Sequence, residues 1–488
     1  MNKQDELLMT QRIHKGPVQA VRILAAFALA AVATGQATAQ TVAKSACGTF
    51  ERPFAANSPW NSRPLEPVLG SATIPPSDYY PTVSIDKYST AVYRATPQDG
   101  PVTILPMIGK TAVWDPDAEA HRPSVTIPHW PANAVPASGS DGHLDVIDVE
   151  NGIVHSLFKL KNVEGQWRAL MYAWSPLKGA GWGKPAHYYQ GARAAGVPTA
   201  GGVIRTHEVR DGAAMYSHAL AMSLTFNALS AKNLYVYPAT SSDGNAATTN
   251  YGEIPMGSLM MLPKDFNVSG IANPDLRKVA LTLQVYGAYV VDRNVGTPFV
   301  IYADINSDLI LHRKPDGSRG WDNVVAADLQ RIRAALRPVV AAKGWVDCDG
   351  NAFQPDMRFN LLSMRGPWTA SGSGLPGTFE TWRQALVFPA SSGEVTMTQW
   401  SNNVWGRVSW GRPLAGQTYT FKVTGSPGTK MRLTYQDCGS VPAKVDTGDL
   451  HPGGMADIVW PEKLCRQALT ATKTGSAESW VRAEMWPR

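Results

Sequence analysis

The densest run of chemically capable side chains lies between Gly201 and Leu220. It reads Gly201-Gly202-Val203-Ile204-Arg205-Thr206-His207-Glu208-Val209-Arg210-Asp211-Gly212 and continues to Tyr216-Ser217-His218-Ala219-Leu220. Arg205 ends a strand, and Thr206 caps a short turn with Glu208 in its first turn. A fixed arginine beside Glu208 and His218 is a combination that recognises an anion. The competing role is an Arg205–Glu208 ion pair that pins a loop, with His218 a satisfied core histidine.

Other titratable residues widen the set. Asp141-Gly142-His143 precedes Asp148, His155 follows it, and Tyr286, Tyr289 and Asp292 sit on a later apolar stretch. β-Elimination from a uronate needs a group that neutralises the carboxylate, a base for the C5 proton and an acid for the leaving oxygen. Arg205 fits the first role, His218 or His143 the second and Tyr286 the third. Hydrolysis of a glycoside needs two carboxylates about 5–10 Å apart, and Glu208 with Asp148 or Asp292 are the candidates. Asp292, Tyr289, His155 and Trp405 are expected to bind substrate. No metal or cofactor is expected, because the candidate ligand sets His121-x7-His129 and His143-Leu144-Asp145 are weak evidence for a site. A structural calcium at Asp243-Gly244-Asn245 with Glu253 is the one open alternative. No G-x-S-x-G elbow occurs.

The elements that must position these groups are mostly strands. The chain has 488 residues, 43 Gly, 36 Pro, 16 Trp and only 17% charged residues. Such a composition excludes wholesale disorder and favours a loop-rich β protein. His143–Glu150 and Ile153–Leu160 flank Asn151-Gly152, a two-residue hairpin signal. That register sets residues summing to 303 opposite one another, with Asp148 facing His155. A further strand is expected over Ser217–Phe226. Helices are few: one capped by Asn273 with Pro274 in its first turn and ending at Gly287, another from about Asn323 to Pro338. A strand is expected at Ala288–Asp292. The fold class is therefore mainly β: a β-sandwich or jelly-roll-like catalytic domain over 47–350 with a few helices, and a tryptophan-rich β-sandwich over 356–488 of the carbohydrate-binding kind.

The first 39 residues read as a secretory signal peptide. Lys3, Arg12, Lys15 and Arg22 precede the apolar run Ile23–Ala33, and Ala37-Thr38-Ala39 supplies the cleavage site. The expected location is extracellular or periplasmic. Removing the leader takes four bases and two acids, so the formal +6 becomes +4. That charge carries no basic run, which excludes nucleic acid as a partner. No 18-residue apolar stretch spans a membrane. The expected partner is a polysaccharide, and the expected state a monomer. Four cysteines in an exported chain imply two disulfides. Cys47–Cys348 with Cys438–Cys465 keeps each bridge inside one domain.

Several segments resemble a widespread family of secreted bacterial proteins: Phe54-x5-Trp60-Asn61, Asp141-Gly142-His143-x4-Asp148, Gly202-Val203-Ile204-Arg205-x2-Glu208-Val209-x8-His218-Ala219-Leu220, Ile254-Pro255-Met256-Gly257 and Tyr286-Gly287-x4-Asp292. The resemblance covers residues 52–345 and implies recurring polar positions at His143, Asp148, Arg205, Glu208, His218, Tyr286 and Asp292. It implies no activity. The chain departs at His155-Ser156, where the family tends to carry Tyr-Glu. A more distant similarity joins Arg205–Arg210 and Tyr286–Tyr289 to the Arg- and Tyr-bearing strands of jelly-roll polysaccharide lyases. The reading that results is a secreted lyase acting on an acidic glycan, with glycoside hydrolase or non-catalytic glycan binding as the alternatives.

Overall fold

A computed structural model describes residues 46–312, 318, 320–371, 377–400, 408–436, 444–462 and 466–488. The chain is mainly β, with 36% strand against 8% helix. No helix among the described residues is long and apolar enough to cross a membrane.

The strand Leu220–Leu224 is buried at every position, which requires cover on both faces and a partner on both edges. It lies inside a seven-stranded sheet, parallel to Ala288–Arg293 on one side and antiparallel to Phe299–Tyr302 on the other. Thr82–Ser84 extends the sheet beyond Phe299–Tyr302, and Leu259–Met261, Arg337–Ala341 and Val68–Leu69 extend it beyond Ala288–Arg293. The parallel pair needs a crossover, and the helix Pro274–Val285 is part of it. Asn273 caps that helix, its side chain accepting from the Leu276 amide at 3.0 Å. Gly287 then turns the chain at φ +76°, where a Cβ would lie 2.7 Å from Leu259 Cδ1. The second helix, Asn323–Ala335, is capped by Asp322 and stops earlier than its sequence suggests. Pro338 lies in the following strand, opposite Met260.

A six-stranded sheet packs its own core of Ile104, Val146, Leu157, Tyr172 and Trp174. Its hairpin corrects the expected register. Ile153 pairs with Asp148 and His155 with Val146, so paired residues sum to 301 and not 303. The loop has four residues because Asp148 captures Asn151: the Asn151 amide donates to Oδ1 at 3.0 Å and its side chain to Oδ2 at 2.8 Å. Only Gly152 has positive φ there, whereas a type I′ turn needs it at both central residues. A shift of two preserves the face, so Asp148 and His155 are diagonal neighbours.

Two five-stranded antiparallel sheets follow from Thr369 onward. The strands Thr429–Gln436 and Ser479–Pro487 alternate buried and accessible residues, and Phe388, Met397, Phe421, Leu433, Leu469 and Val481 fill the space between the sheets. This sandwich meets the preceding sheets through a buried ion pair. Arg365 Nη2 donates to Asp117 Oδ1 at 2.6 Å and to the Ala186 carbonyl at 2.8 Å, Nε donates to the Asp117 carbonyl, and the guanidinium lies 4.4 Å from the Tyr188 ring centre. Gln384 donates to Asp117 Oδ2 at 2.9 Å. Burial alone would raise the Asp117 carboxyl, but the charges of Arg365 and His187 outweigh it and hold it below its ordinary value. Trp382 stacks on Trp174 beside this pair, 4.9 Å between ring centres. At the other end of the chain Cys47 is bonded to Cys348, joining residues 301 apart. Cys438 and Cys465 lie outside the described residues.

Replacing one partner of a buried ion pair strands the other charge at a cost of about 3–5 kcal/mol. Arg365→Ala should therefore lower the unfolding free energy of the chain, read from urea titration, by that amount. Unchanged stability would show that the two charges are hydrated in solution.

Candidate functional site

The sequence cluster forms a buried knot. Glu208 lies in a short 3₁₀ turn, Thr206–Glu208, whose preceding residue is Arg205. Glu208 Oε2 accepts from the Arg205 amide at 2.9 Å and faces His218 Nε2 at 3.1 Å. The other ring nitrogen, Nδ1, is 2.9 Å from the Ala219 carbonyl. Burial alone would raise the Glu208 carboxyl. The charge and hydrogen bond of His218, with the Arg205 amide and His207, outweigh burial and hold it at about 2. The Arg205 guanidinium stacks 4.5 Å from the Phe50 ring centre, donates to the Phe50 carbonyl at 3.0 Å and reaches Asp304 at 4.0 Å.

Arg52, which the sequence reading missed, completes the knot. Its Nε donates to Asn61 at 3.2 Å, Nη2 donates to the Ser217 carbonyl, and Tyr286 lies beside it. The cavity at this knot has a volume of about 20 Å³, room for one water-sized occupant. A sugar ring does not fit it.

The other candidates divide. His143 is buried against Phe158, and desolvation followed by the charge of Arg193 drives its ring well below the ordinary histidine value. Asp148 is held by Asn151 and His129, the latter at 2.9 Å. His155 bonds Tyr172 at 3.0 Å, and burial lowers it to about 4. Tyr289 is core, edge-on to Trp60 and Trp182. Trp405 lies outside the described residues. At the loop considered for calcium, Arg293 donates to Asn245 at 2.9 Å and reaches Asp243 at 3.7 Å.

Asp292 belongs to a different place, a groove of about 810 Å³, within the size range of ligand sites. Its floor is one face of the seven-stranded sheet. Val300 pairs with Thr82, Tyr302 with Ser84 and Ser223 with both Val300 and Asp292, so these side chains point the same way. A bulge decides the last member. Met222 pairs with Val290 and Ser223 with Asp292, leaving Val291 as the extra residue. Without it Asp292 would pair with Leu224 and face the core.

Arg193 reaches this floor from the loop before the sheet. Its Nη1 donates to Asp292 Oδ2 at 3.1 Å and its guanidinium lies 3.8 Å from the Tyr302 ring centre. Its Nη2 is buried with no hydrogen-bond partner among the described residues. Burial raises the Asp292 carboxyl to about 6, more than Arg193 lowers it, with Asp243 adding to the rise. Burial likewise raises the Tyr302 phenol. Tyr79, 63% exposed, and Tyr88, 47% exposed, stand at the rim. A sequence signal for Arg193 existed: one charged residue inside Gly191-Ala192-Arg193-Ala194-Ala195-Gly196, where nothing else is polar.

No family model and no curated protein matches the chain, so the family resemblance of residues 52–345 gains no support from them. Solved structures match parts of it. A xylan-binding domain of carbohydrate-binding family 22 is 16% identical over 27% of this chain and 96% of its own, with a TM-score of 0.18. A family 29 carbohydrate-binding module is 9% identical over 27% of this chain and 85% of its own, with a TM-score of 0.16. An accessory secretory protein complex of Streptococcus pneumoniae is 9% identical over 21% and 85%, with a TM-score of 0.16. Likenesses at this level carry no argument about function.

The knot has a measurable signature. A carboxyl lowered from 4.5 to about 2 stabilises the fold above its unfolded value, and that contribution is lost as pH falls from about 4.5 towards 2. Glu208→Gln should flatten this limb of the stability–pH curve. An unchanged limb would place the titration elsewhere.

Proposed function

We propose that this protein is a secreted enzyme that cleaves an acidic glycan by β-elimination, with the groove as its active site. The observation that carries the reading is the floor: Arg193, with a buried unpaired N–H, lies against both Asp292 and Tyr302. In this reading the roles inferred from sequence for Arg205, His218 and Tyr286 pass to these three residues. Arg193 neutralises the uronate carboxylate and the charge that develops on it. Asp292 takes the C5 proton, suited by a carboxyl raised to about 6. The C5–H electron pair forms the C4–C5 double bond as the C4–O bond breaks. Tyr302, kept protonated by burial, donates to the departing oxygen. Tyr79 and Tyr88 offer ring faces on which sugars stack. The C-terminal sandwich, with Trp382 44% exposed, serves in this reading to hold the same polymer.

A second carboxylate, Asp141, lines the same groove and supports hydrolysis as the second reading. Incubation with a panel of acidic and neutral polysaccharides separates the two. Elimination yields ultraviolet-absorbing unsaturated uronates, and hydrolysis yields reducing ends without them. Neither product from any glycan would leave a binding protein.

Arg193→Ala should lower the kcat of the folded protein about 10²–10³-fold, as loss of an electrostatic stabiliser does. The kcat/KM profile should rise through about pH 6, following Asp292, and Asp292→Asn should abolish turnover. Full activity in Arg193→Ala would remove the groove from consideration.

A further inference from the structure

The knot buries two arginines, and only one of them has a carboxylate within ion-pair distance among the described residues. Arg52 and Arg205 are 5% and 4% exposed. Arg205 has Asp304 at 4.0 Å, and Glu208 is bonded to its amide. Arg52 donates to the Asn61 side chain and the Ser217 carbonyl and is hydrogen-bonded to the Tyr286 side chain, while the attraction of Glu208 and Asp349 reaches it from farther away. Among the described residues no carboxylate lies within ion-pair distance of it. Glu51 lines the same cavity, but it turns towards Arg94 at 3.7 Å and stays 43% exposed. A buried guanidinium whose carboxylates all lie beyond ion-pair distance is incompletely compensated, so an anion placed beside it would lower that cost.

Two donors are left over for it. Arg52 Nη1 and Arg205 Nε are buried and make no hydrogen bond among the described residues. Both arginines line the small cavity, together with Asn61 and His218. We propose that this cavity is a binding site for one monoatomic halide, chloride under physiological conditions, held between Arg52 and Arg205. The volume of about 20 Å³ admits a single small sphere. It rejects a tetrahedral oxyanion or a sugar carboxylate with its ring attached. A water molecule fits the space but brings no charge to Arg52. The packing keeps the site small, since a Cβ on Gly202 would fall 2.5 Å from the Trp60 ring. The inference is independent of the groove and its chemistry.

The test compares thermal unfolding of the full chain in sodium bromide and sodium gluconate at equal ionic strength. Bromide should raise the midpoint saturably by about 1–3 °C, the size expected for one site filled well above its Kd. Arg52→Met should abolish that difference. Crystals grown in bromide should show one anomalous scattering peak in the cavity between the two guanidiniums. Equal midpoints in the two salts, or a cavity without the peak, would overturn the site. If Arg52→Met fails to fold, the anomalous map of the unaltered protein decides alone.

Discussion

Everything of chemical interest in this protein hangs on one strand that has no exposed residue. Leu220–Leu224 is covered on both faces and paired on both edges, so apolar burial and backbone pairing together fix its position. His218 lies just before it and Ser223 near its end. The parallel neighbour Ala288–Arg293 repeats the arrangement, with Tyr286 before it and Asp292 near its end. Two parallel strands therefore carry polar groups at both ends, and the knot and the groove are the two results.

The structure handles four buried arginines in four ways. Arg365 meets a fully buried carboxylate and joins the C-terminal sandwich to the rest. Arg205 is stacked on Phe50 and capped by a carbonyl. Arg193 shares a carboxylate and a tyrosine ring and keeps one donor spare. Arg52 is hydrogen-bonded to Asn61, Ser217 and Tyr286, has no carboxylate within ion-pair distance among the described residues, and keeps one donor spare. The guanidinium offers five donors and stays charged when buried, so each incomplete set is either an unmet cost or a binding function. This is why Arg193 and Arg52 are read as ligand-facing, and Arg365 as a fastening.

Burial also separates the carboxyls. Glu208 goes down to about 2 because His218 and backbone donors outweigh desolvation. Asp292 goes up to about 6 because Arg193 does not. One is fixed as a structural anion and the other titrates near neutrality, which is where proton-transfer groups belong.

The sequence by itself determined the features that depend on near neighbours. Asn273-Pro274 specified a helix start and Gly287 its end, because caps and positive φ are local requirements. The abundance of Gly and Pro between short apolar runs specified a β class. Arg205, Glu208 and His218 were legible as a group because only twelve residues of chain lie between the first and the last. The tertiary structure decided what depends on distant partners. The hairpin register turned on Asp148 capturing Asn151, and the orientation of Asp292 on a single extra residue, Val291, opposite Ser223. Arg193 and Arg52 acquired meaning only when other strands buried them beside Asp292 and Asn61. Side-chain periodicity gives a strand two faces, but which face becomes a groove is set by the strands beside it and the loops above it.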